Sequence, residues 1–257
     1  MVSNYLYHIP TILIVTVLLI LIVISFWIGI IITKKKNSVV NNDFGPVEGA
    51  LLSLLALLLS FTFSATYSKY NERRKVIIEE ANAIGTAILR IGLYPDSVKQ
   101  LLKEDFKEYV SARIEYYNAK MDDSLVQQAN AKTEKQYTII WNRLTAMSKT
   151  PNSLIFTNQM VPAVNNMIDI VTTRDDLTKS VVPASIKWVL LLLILVSSFI
   201  IGTHADNITK NKMINLGFAV MICMTCYLIL DLDRPHMGLI TVDAAEKKIE
   251  DLQAMLK

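Results

Sequence analysis

The chain opens with two long runs of apolar residues that carry no charge. Thr11 to Thr33 contains 23 uncharged residues, and Gly49 to Ser68 contains 20. Because a helix needs about 20 apolar residues to cross the hydrocarbon core of a bilayer, each run predicts a transmembrane helix. The first run is longer than the core of a secretory signal peptide and has no positive charge before it, so we interpret it as a span.

Two shorter uncharged runs lie near the other end of the chain. Trp188 to Thr203 contains 16 residues and Met213 to Leu230 contains 18, with a polar segment between them. They predict a second pair of spans, with Trp188 in the headgroup belt. None of the four runs contains a charged residue, which argues against an intramembrane proton relay or voltage sensor.

Between the two pairs of spans the apolar residues recur at helical spacing. The second run continues without a breaker as far as Pro95, which predicts one helix from Val47 to Tyr94. Asp96 is expected to cap the next helix, which Asp122 and Asp123 are expected to close. The apolar stripe of that helix contains Leu102, Phe106, Tyr109, Val110, Ile114 and Tyr117.

Two more helices are predicted in the same segment, and a short one follows the last span. One ends before Pro151, and Pro162 is expected to kink or delay the start of the other. The segment after the fourth span predicts an amphipathic helix from about Ala244 to Leu256.

The fold class is therefore an all-α polytopic membrane protein with four transmembrane helices and a helical bundle inserted between the second and third. The predicted parts are a first transmembrane hairpin at 1–68, a water-exposed helical insert at 69–187, a second hairpin at 188–231, and a C-terminal turn and short helix at 232–257.

Composition fits this plan and supplies little chemistry. Hydrophobic residues make up 52% of the chain and the formal net charge is only +3, so nothing indicates a nucleic-acid partner. Cys223 and Cys226 form a C-x-x-C inside a predicted span, where we interpret them as packing residues. Glu79 and Glu80 are interpreted as solvated or salt-bridged carboxylates.

Catalytic and metal-binding motifs are missing from the sequence. The three histidines, His8, His204 and His236, have no metal-site spacing, and no phosphate-loop, zinc-protease or nucleophile-elbow motif occurs. We expect no enzymatic activity, no cofactor and no metal.

Positive charges near the span ends favour a cytoplasmic insert with both termini on the same side. Ten basic residues then lie inside: Lys69, Arg73, Arg74, Lys75, Arg174, Lys179, Lys187, Arg234, Lys247 and Lys248. Five lie outside: Lys34, Lys35, Lys36, Lys210 and Lys212. The lysine triplet directly after the first span is itself a typical inside signal and opposes this count.

The end of the second span carries a motif that resembles the bestrophins, a family of pentameric anion channels. In that family an aromatic residue is followed six residues later by Tyr-x-Arg-x-x-Glu-x-Arg. The matching residues here are Phe61, Tyr67, Lys69, Glu72 and Arg74, with lysine in place of the first arginine.

The layout of the spans and a second motif extend this resemblance. Asp233, Pro235 and Gly238 stand for the Asp-Pro-Phe-Gly turn of the family, with Arg234 inserted. The chain is similar above all to uncharacterised bacterial bestrophin-like proteins, in which Glu79 to Gly85 and Leu232 to Pro235 are typical segments.

The resemblance implies a homo-oligomer, a pentamer, in the lipid bilayer of a bacterial cytoplasmic membrane, passing small anions such as chloride. It places the pore-lining residues at Ser53, Leu57 and Phe61, which are four apart and so lie on one helix face. The chain departs from the family at Thr62-Phe63, where bestrophins have Arg-Asn, and at Ser53, where they have a bulky apolar residue.

Two alternatives remain open at the level of sequence. Leu57 and Phe61 also suit ordinary packing against the first span, and the basic cluster of Lys69, Arg73, Arg74 and Lys75 suits either an anion-attracting inner mouth or a positive-inside anchor. The competing function is a non-conducting membrane scaffold or sensor whose helical insert binds a partner protein.

Overall fold

The computed structural model describes residues 9–36, 45–120, 122–150, 153–203, 212–234 and 238–257. Within these ranges the chain is helical and contains no strand. The α-helices are α1 (Thr11–Lys36), α2 (Gly45–Ile91), α3 (Asp96–Ala119), α4 (Asp123–Ser148), α5 (Leu154–Lys179), α6 (Ala184–Thr203), α7 (Lys212–Asp233) and α8 (Asp243–Asp251), followed by a 3₁₀ segment at Leu252–Leu256. The all-α prediction is confirmed.

Four stretches of the described chain are long and apolar enough to cross a membrane. They are Thr11–Lys34, Gly45–Ile91, Leu154–Thr203 and Asn215–Asp233. In the third stretch the apolar part is α6, which contains the predicted run from residue 188 to 203. The four predicted transmembrane helices are confirmed.

Helix α2 is the longest element, with 47 residues. At 1.5 Å per residue it extends for about 70 Å, more than twice the hydrocarbon thickness of a bilayer. It ends at Ile91, three residues earlier than predicted, because Gly92, Leu93 and Tyr94 hydrogen-bond three residues back instead of four. Pro95 disfavours helical backbone at the residue before it, which accounts for the turn.

The predicted role of Asp96 as a helix cap is wrong. Helix α3 begins there, but its N-cap is Pro95, and no side chain caps it. The carbonyl of Pro95 accepts hydrogen bonds from the amides of Val98 and Lys99. Asp122 does not close α3, which ends at Ala119, but instead caps α4 by accepting hydrogen bonds from two backbone amides.

The apolar stripe predicted for α3 is buried at Leu102, Phe106, Tyr109, Val110 and Tyr117. Ile114 is only partly buried. Pro162 does not delay α5, which begins eight residues before it and continues through it.

The chain divides into two compact units. The membrane unit consists of Met1–Tyr70 and Val181–Ile240, and the helical unit consists of Asn71–Ser180 and Thr241–Lys257. Helix α2 contributes residues to both. The C-terminal residues therefore belong to the same unit as the segment between the second and third spans, although about 60 residues separate them in sequence.

The core of the membrane unit is built around α1, which packs against α6 and α7. Its buried side chains are Leu18, Ile22, Leu55, Leu59, Leu190, Ile194, Ala219, Ile222, Cys223 and Ile229. Cys226 packs against this cluster, and both cysteines are free thiols, in agreement with the packing interpretation.

Two glycines let the backbones of α1 and α6 approach each other. A Cβ atom at Gly29 would lie 2.3 Å from the carbonyl oxygen of Phe199, and one at Gly202 would lie 2.2 Å from that of Phe26. The Ser25 hydroxyl donates to the carbonyl of Leu195 at 2.7 Å across the same contact. Small residues and interhelical hydrogen bonds are the usual means by which helices associate in lipid, where the hydrophobic effect between helices is weak.

Replacing Gly202 by valine is expected to force α1 and α6 apart, because the clash involves backbone rather than a flexible side chain. A destabilisation of about 1–3 kcal/mol is typical of overpacking. Thermal unfolding of the detergent-solubilised protein should show a clear fall in Tm for Gly202→Val. Gly217→Val in α7 is the matched control, since no atom lies within 4 Å of its Cβ position; equal losses in the two variants would contradict this account.

Candidate functional site

The membrane-spanning part of α2 has one buried stripe. Leu55, Leu59, Thr62 and Thr66 are its buried side chains, and their spacing of four, three and four residues places them on one side of the helix. Within the chain, this stripe is the side of α2 that packs.

The three predicted pore-lining residues lie away from that stripe. Ser53 is exposed, Leu57 is 51% exposed, and Phe61 is 63% exposed. Leu57 and Phe61 therefore do not have the burial expected of side chains packed against the first span. Whether they line a pore stays a prediction.

Two further residues of this face, Ser60 and Ser64, were missed by the sequence reasoning. Both are exposed, and together with Ser53 and Leu57 they follow a spacing of four, three and four residues. At 100° per residue these four positions lie directly opposite the buried stripe. The signal was present in the sequence, but the direction of the face became known only once the buried side was located. We call Ser53, Leu57, Ser60, Phe61 and Ser64 the exposed α2 face.

The motif that follows the exposed α2 face is divided between two environments. The Tyr67 ring is half-exposed and stacks on Phe63, with centroids 6.3 Å apart. Lys69 is partly exposed, and Glu72 and Arg74 are exposed.

Arg73 differs from its neighbours because it is only 3% exposed. Its Nε donates to the carbonyl of Leu177 at 3.2 Å and its Nη2 donates to that of Ser180 at 2.6 Å. These carbonyls lie at the C-terminal end of α5, where the helix dipole favours a positive charge. Arg73 thus has a structural role, whereas Lys75 of the same predicted basic cluster is exposed and forms an ion pair with Glu79 at 3.5 Å.

A buried ionic cluster lies in the helical unit, centred on Glu80. Glu80 is fully buried, its Oε1 is 2.5 Å from Arg113 Nε, and its Oε2 is 3.1 Å from Arg174 Nη1. The Tyr117 hydroxyl donates to the same carboxylate at 2.9 Å. We call these four residues the ionic core. They come from α2, α3 and α5.

Aromatic rings complete the surroundings of the two arginines. The Arg174 guanidinium lies 3.7 Å from the ring centre of Tyr117 and 4.7 Å from that of Tyr116, and Arg113 lies 4.5 Å from the same Tyr116 ring. Cation–π contacts of this kind gain strength when the cation is removed from water.

The ionic core favours the charged forms of Glu80 and Arg113. Burial by itself would raise the pKa of Glu80, but Arg113, Arg174 and the hydrogen bonds to the carboxylate outweigh burial and lower the pKa below its usual value of 4.5. The same carboxylate raises the pKa of Arg113 despite its burial.

These contacts show what the family-typical segment Glu79 to Gly85 does in the structure: its residues form ion pairs and pack against the C-terminal segment. Glu79 is exposed and paired with Lys75, so both adjacent glutamates are salt-bridged as expected. A Cβ atom added at Gly85 would lie 3.4 Å from Cδ2 of Leu252, so the C-terminal segment packs directly over this glycine. Sequence reasoning could not identify Glu80 as the buried one, because its partners lie 33 and 94 residues further along the chain.

The turn after α7 is held by two aspartates of the membrane unit. Asp231 accepts hydrogen bonds from the amides of Leu239 and Ile240, and Asp233 accepts from the Val182 amide at 2.9 Å and from Lys187 Nζ at 2.6 Å. Of the predicted motif residues, Asp233 thus anchors the start of α6, while Pro235 lies outside the described residues.

Gly238 has a φ of 132°, which favours glycine, and a Cβ there would lie 1.5 Å from Asp231 Oδ1. The inserted Arg234 donates to the carbonyl of Ile9 at 2.6 Å. Each residue of this turn that the structure describes is therefore committed to backbone or ion-pair contacts within the membrane unit.

The described ranges contain no group of three or more His, Cys, Asp or Glu side chains that could hold a metal ion. His8, His204 and His236 lie outside those ranges.

The helices and their apolar spans define an α-helical polytopic membrane protein. The family profile described as Bestrophin-like domain matches residues 11–246, and the chain belongs to that family. No curated protein sequence matches it.

Solved structures of a bacterial bestrophin homologue from Klebsiella pneumoniae share the fold. One variant has a TM-score of 0.74 at 14% identity and covers 97% of both chains. A second has a TM-score of 0.72 at 14% identity and covers 94% of this chain and 98% of the other. A third has a TM-score of 0.71 at 12% identity over 96% and 98%. The family resemblance drawn from the motifs is confirmed.

Removing the charge of Glu80 is expected to destabilise the helical unit strongly, because Arg113 would remain buried without a counter-charge and Arg174 would keep only the more distant Glu246. Breaking a buried ion pair from one side costs about 3–5 kcal/mol. Chemical unfolding followed by circular dichroism should show this loss for Glu80→Gln. The adjacent Glu79→Gln serves as the control, because it removes an exposed ion pair that contributes little to stability. Similar stability of the two variants would contradict the assignment of Glu80 as the central buried counter-charge.

The lowered pKa of Glu80 also sets the pH range in which the ionic core stabilises the fold. Its contribution is complete above the unfolded value of 4.5 and is lost as the pH falls through the lower folded pKa. Wild-type unfolding free energy should therefore fall steeply below pH 4.5, and Glu80→Gln should show a weaker fall over the same range.

Proposed function

We propose that the protein is an oligomeric ion channel of the bestrophin type, a pentamer by its family resemblance, with α2 lining the pore. The observation that carries the proposal is the exposed α2 face, which lies opposite the stripe that packs within the protomer. The proposal includes no enzymatic activity. It places the protein in a bacterial cytoplasmic membrane, with the insert and both termini in the cytoplasm.

The exposed α2 face supports a pore because it carries both large apolar side chains and hydroxyl groups along the helix. Leu57 and Phe61 are large and apolar, and rings of such side chains gate pores by dewetting. Ser53, Ser60 and Ser64 supply hydroxyl groups on the same face, which an ion entering a narrow passage needs in exchange for lost water. Three serines within about three turns are unusual for a face turned wholly toward lipid, because small polar residues of membrane helices are enriched at interfaces.

The preference for small anions such as chloride rests on charge. Arg74 and Lys75 are exposed on α2 beyond its apolar part, and repetition by rotational symmetry would form a ring of positive charge. Arg73 is left out of this ring because it is buried against the end of α5. Lys75 is partly neutralised by Glu79, so Arg74 would contribute more to the attraction.

Phe61→Ala and Leu57→Ala are expected to raise conductance or open probability, because each removes an apolar ring that opposes wetting of the pore. Purified protein in planar bilayers under an asymmetric chloride gradient measures both quantities, and the reversal potential reports selectivity. Phe63→Ala is the matched control: it removes the same ring two residues away, where the helix has turned by about 200°.

Assembly must be measured alongside the currents, by the mass of the complex in detergent or nanodiscs. Ring-shaped oligomers that stay silent across voltage and salt would overturn the channel proposal. A monomer or dimer would do the same and would favour the scaffold or sensor, whose helical insert binds a partner protein.

Ser64→Val is expected to lower single-channel conductance severalfold relative to Ser64→Thr, because the two side chains have almost the same volume and only threonine has a hydroxyl on the exposed α2 face. Ser64→Thr retains the hydroxyl and should conserve most of the current. Equal conductance in the two variants would show that this hydroxyl does not face the permeant ion.

A further inference from the structure

The C-terminal helix lies on the helical unit through an apolar face. Helix α8 and the 3₁₀ segment after it pack against α3, and their buried side chains include Ala245, Ile249, Leu252 and Leu256. Gly85 of α2 leaves room for Leu252. This short segment of fewer than 20 residues depends on these contacts, because isolated helices of such length are marginal in water.

One charged side chain of α8 is buried together with this apolar face. Of the acidic residues in the helix, Asp243, Glu250 and Asp251 are exposed, whereas Glu246 is only 9% exposed. Its Oε1 lies 3.8 Å from Nη2 of Arg174, and that oxygen accepts no hydrogen bond from a described residue. A buried carboxylate oxygen that accepts no hydrogen bond makes the ionised form costly.

Arg174 is a weak partner for Glu246 because it already forms an ion pair with Glu80 in the ionic core. It lies 3.1 Å from Glu80, closer than the 3.8 Å to Glu246, and its ring contacts with Tyr116 and Tyr117 orient it further. Two arginines and the Tyr117 hydroxyl stabilise the carboxylate form of Glu80. Glu246 has one arginine nearby, which it shares with Glu80.

The other charges around Glu246 do not compensate for its burial. Burial raises its pKa to about 7; Arg174 and Lys120 lower the pKa, while Asp243 and Glu250 of its own helix raise it. Arg113 and Glu80 lie beyond Arg174 and are paired with each other. Of the groups that shift this pKa, Arg174 lies on α5, Lys120 directly follows α3, and Asp243 and Glu250 lie on α8.

We propose that Glu246 is a proton-sensitive latch: the neutral carboxyl group favours the docked C-terminal helix, and the carboxylate favours its release. The folded pKa lies above the unfolded value of 4.5, so the docked state binds the proton more tightly than the released state. Docking is therefore strongest at acidic pH and weakens as the pH rises toward and through 7. The latch acts independently of whether the protein conducts ions.

Hydrogen exchange of the full-length protein in nanodiscs tests this directly. Amide protection over residues 245–256, corrected for the intrinsic pH dependence of exchange, should fall about tenfold between pH 6 and pH 8.5, given a pKa of about 7 docked and 4.5 released. Glu246→Gln mimics the neutral carboxyl group and should hold protection high and constant over this range. Asp251→Asn, exposed further along the same helix and not among the charges that shift the pKa of Glu246, should respond to pH as the wild type does.

A second variant tests the electrostatics without altering the buried group. Lys120→Gln removes a positive charge that favours the carboxylate, so the pH midpoint of release should move upward. Wild-type protection that does not change with pH would overturn the proposal. An unchanged pH response in Glu246→Gln would also overturn it, because another group would then be the sensor.

Discussion

The helical unit depends on one buried carboxylate that forms ion pairs with two buried arginines. Glu80 on α2 holds Arg113 on α3 and Arg174 on α5, so a single side chain joins three helices. Removing two guanidinium groups from water is costly, and the cost is offset only where all three charges and the hydroxyl of Tyr117 meet. The geometry thus specifies which helices are neighbours, a choice that apolar packing by itself leaves loosely defined.

The membrane unit is organised by different means, because buried charge is more costly in lipid. Its helices approach through Gly29 and Gly202, and its charged contacts are placed at the helix ends, where Asp233 pairs with Lys187. Helix α2 passes from one environment into the other. Along it the buried side chains change from Leu55, Leu59, Thr62 and Thr66 to a series that includes Arg73 and Glu80.

The contrast between Glu80 and Glu246 shows how the same side chain acquires different properties from its partners. Both are buried carboxylates close to Arg174. Glu80 has two arginines and a hydroxyl donor, so its pKa is lowered, whereas Glu246 shares one arginine at a longer distance, so burial dominates and its pKa is raised. One arginine between two unequal carboxylates is the physical basis of the proposed latch.

By itself the sequence determined the helices, the four spans and the family, since these follow from uncharged runs, proline breakers and short motifs that are local along the chain. Its errors were local as well: Asp96 begins α3 without capping it, and Asp122 caps the start of α4 instead of closing α3. Only the tertiary structure decided that Glu80 and Arg73 are buried while Glu79 and Arg74 are exposed, and that the helix face of Leu57, Ser60 and Ser64 is the exposed one. Adjacent residues of a helix differ by 100° in direction, and which direction is buried depends on helices that lie far away in the sequence.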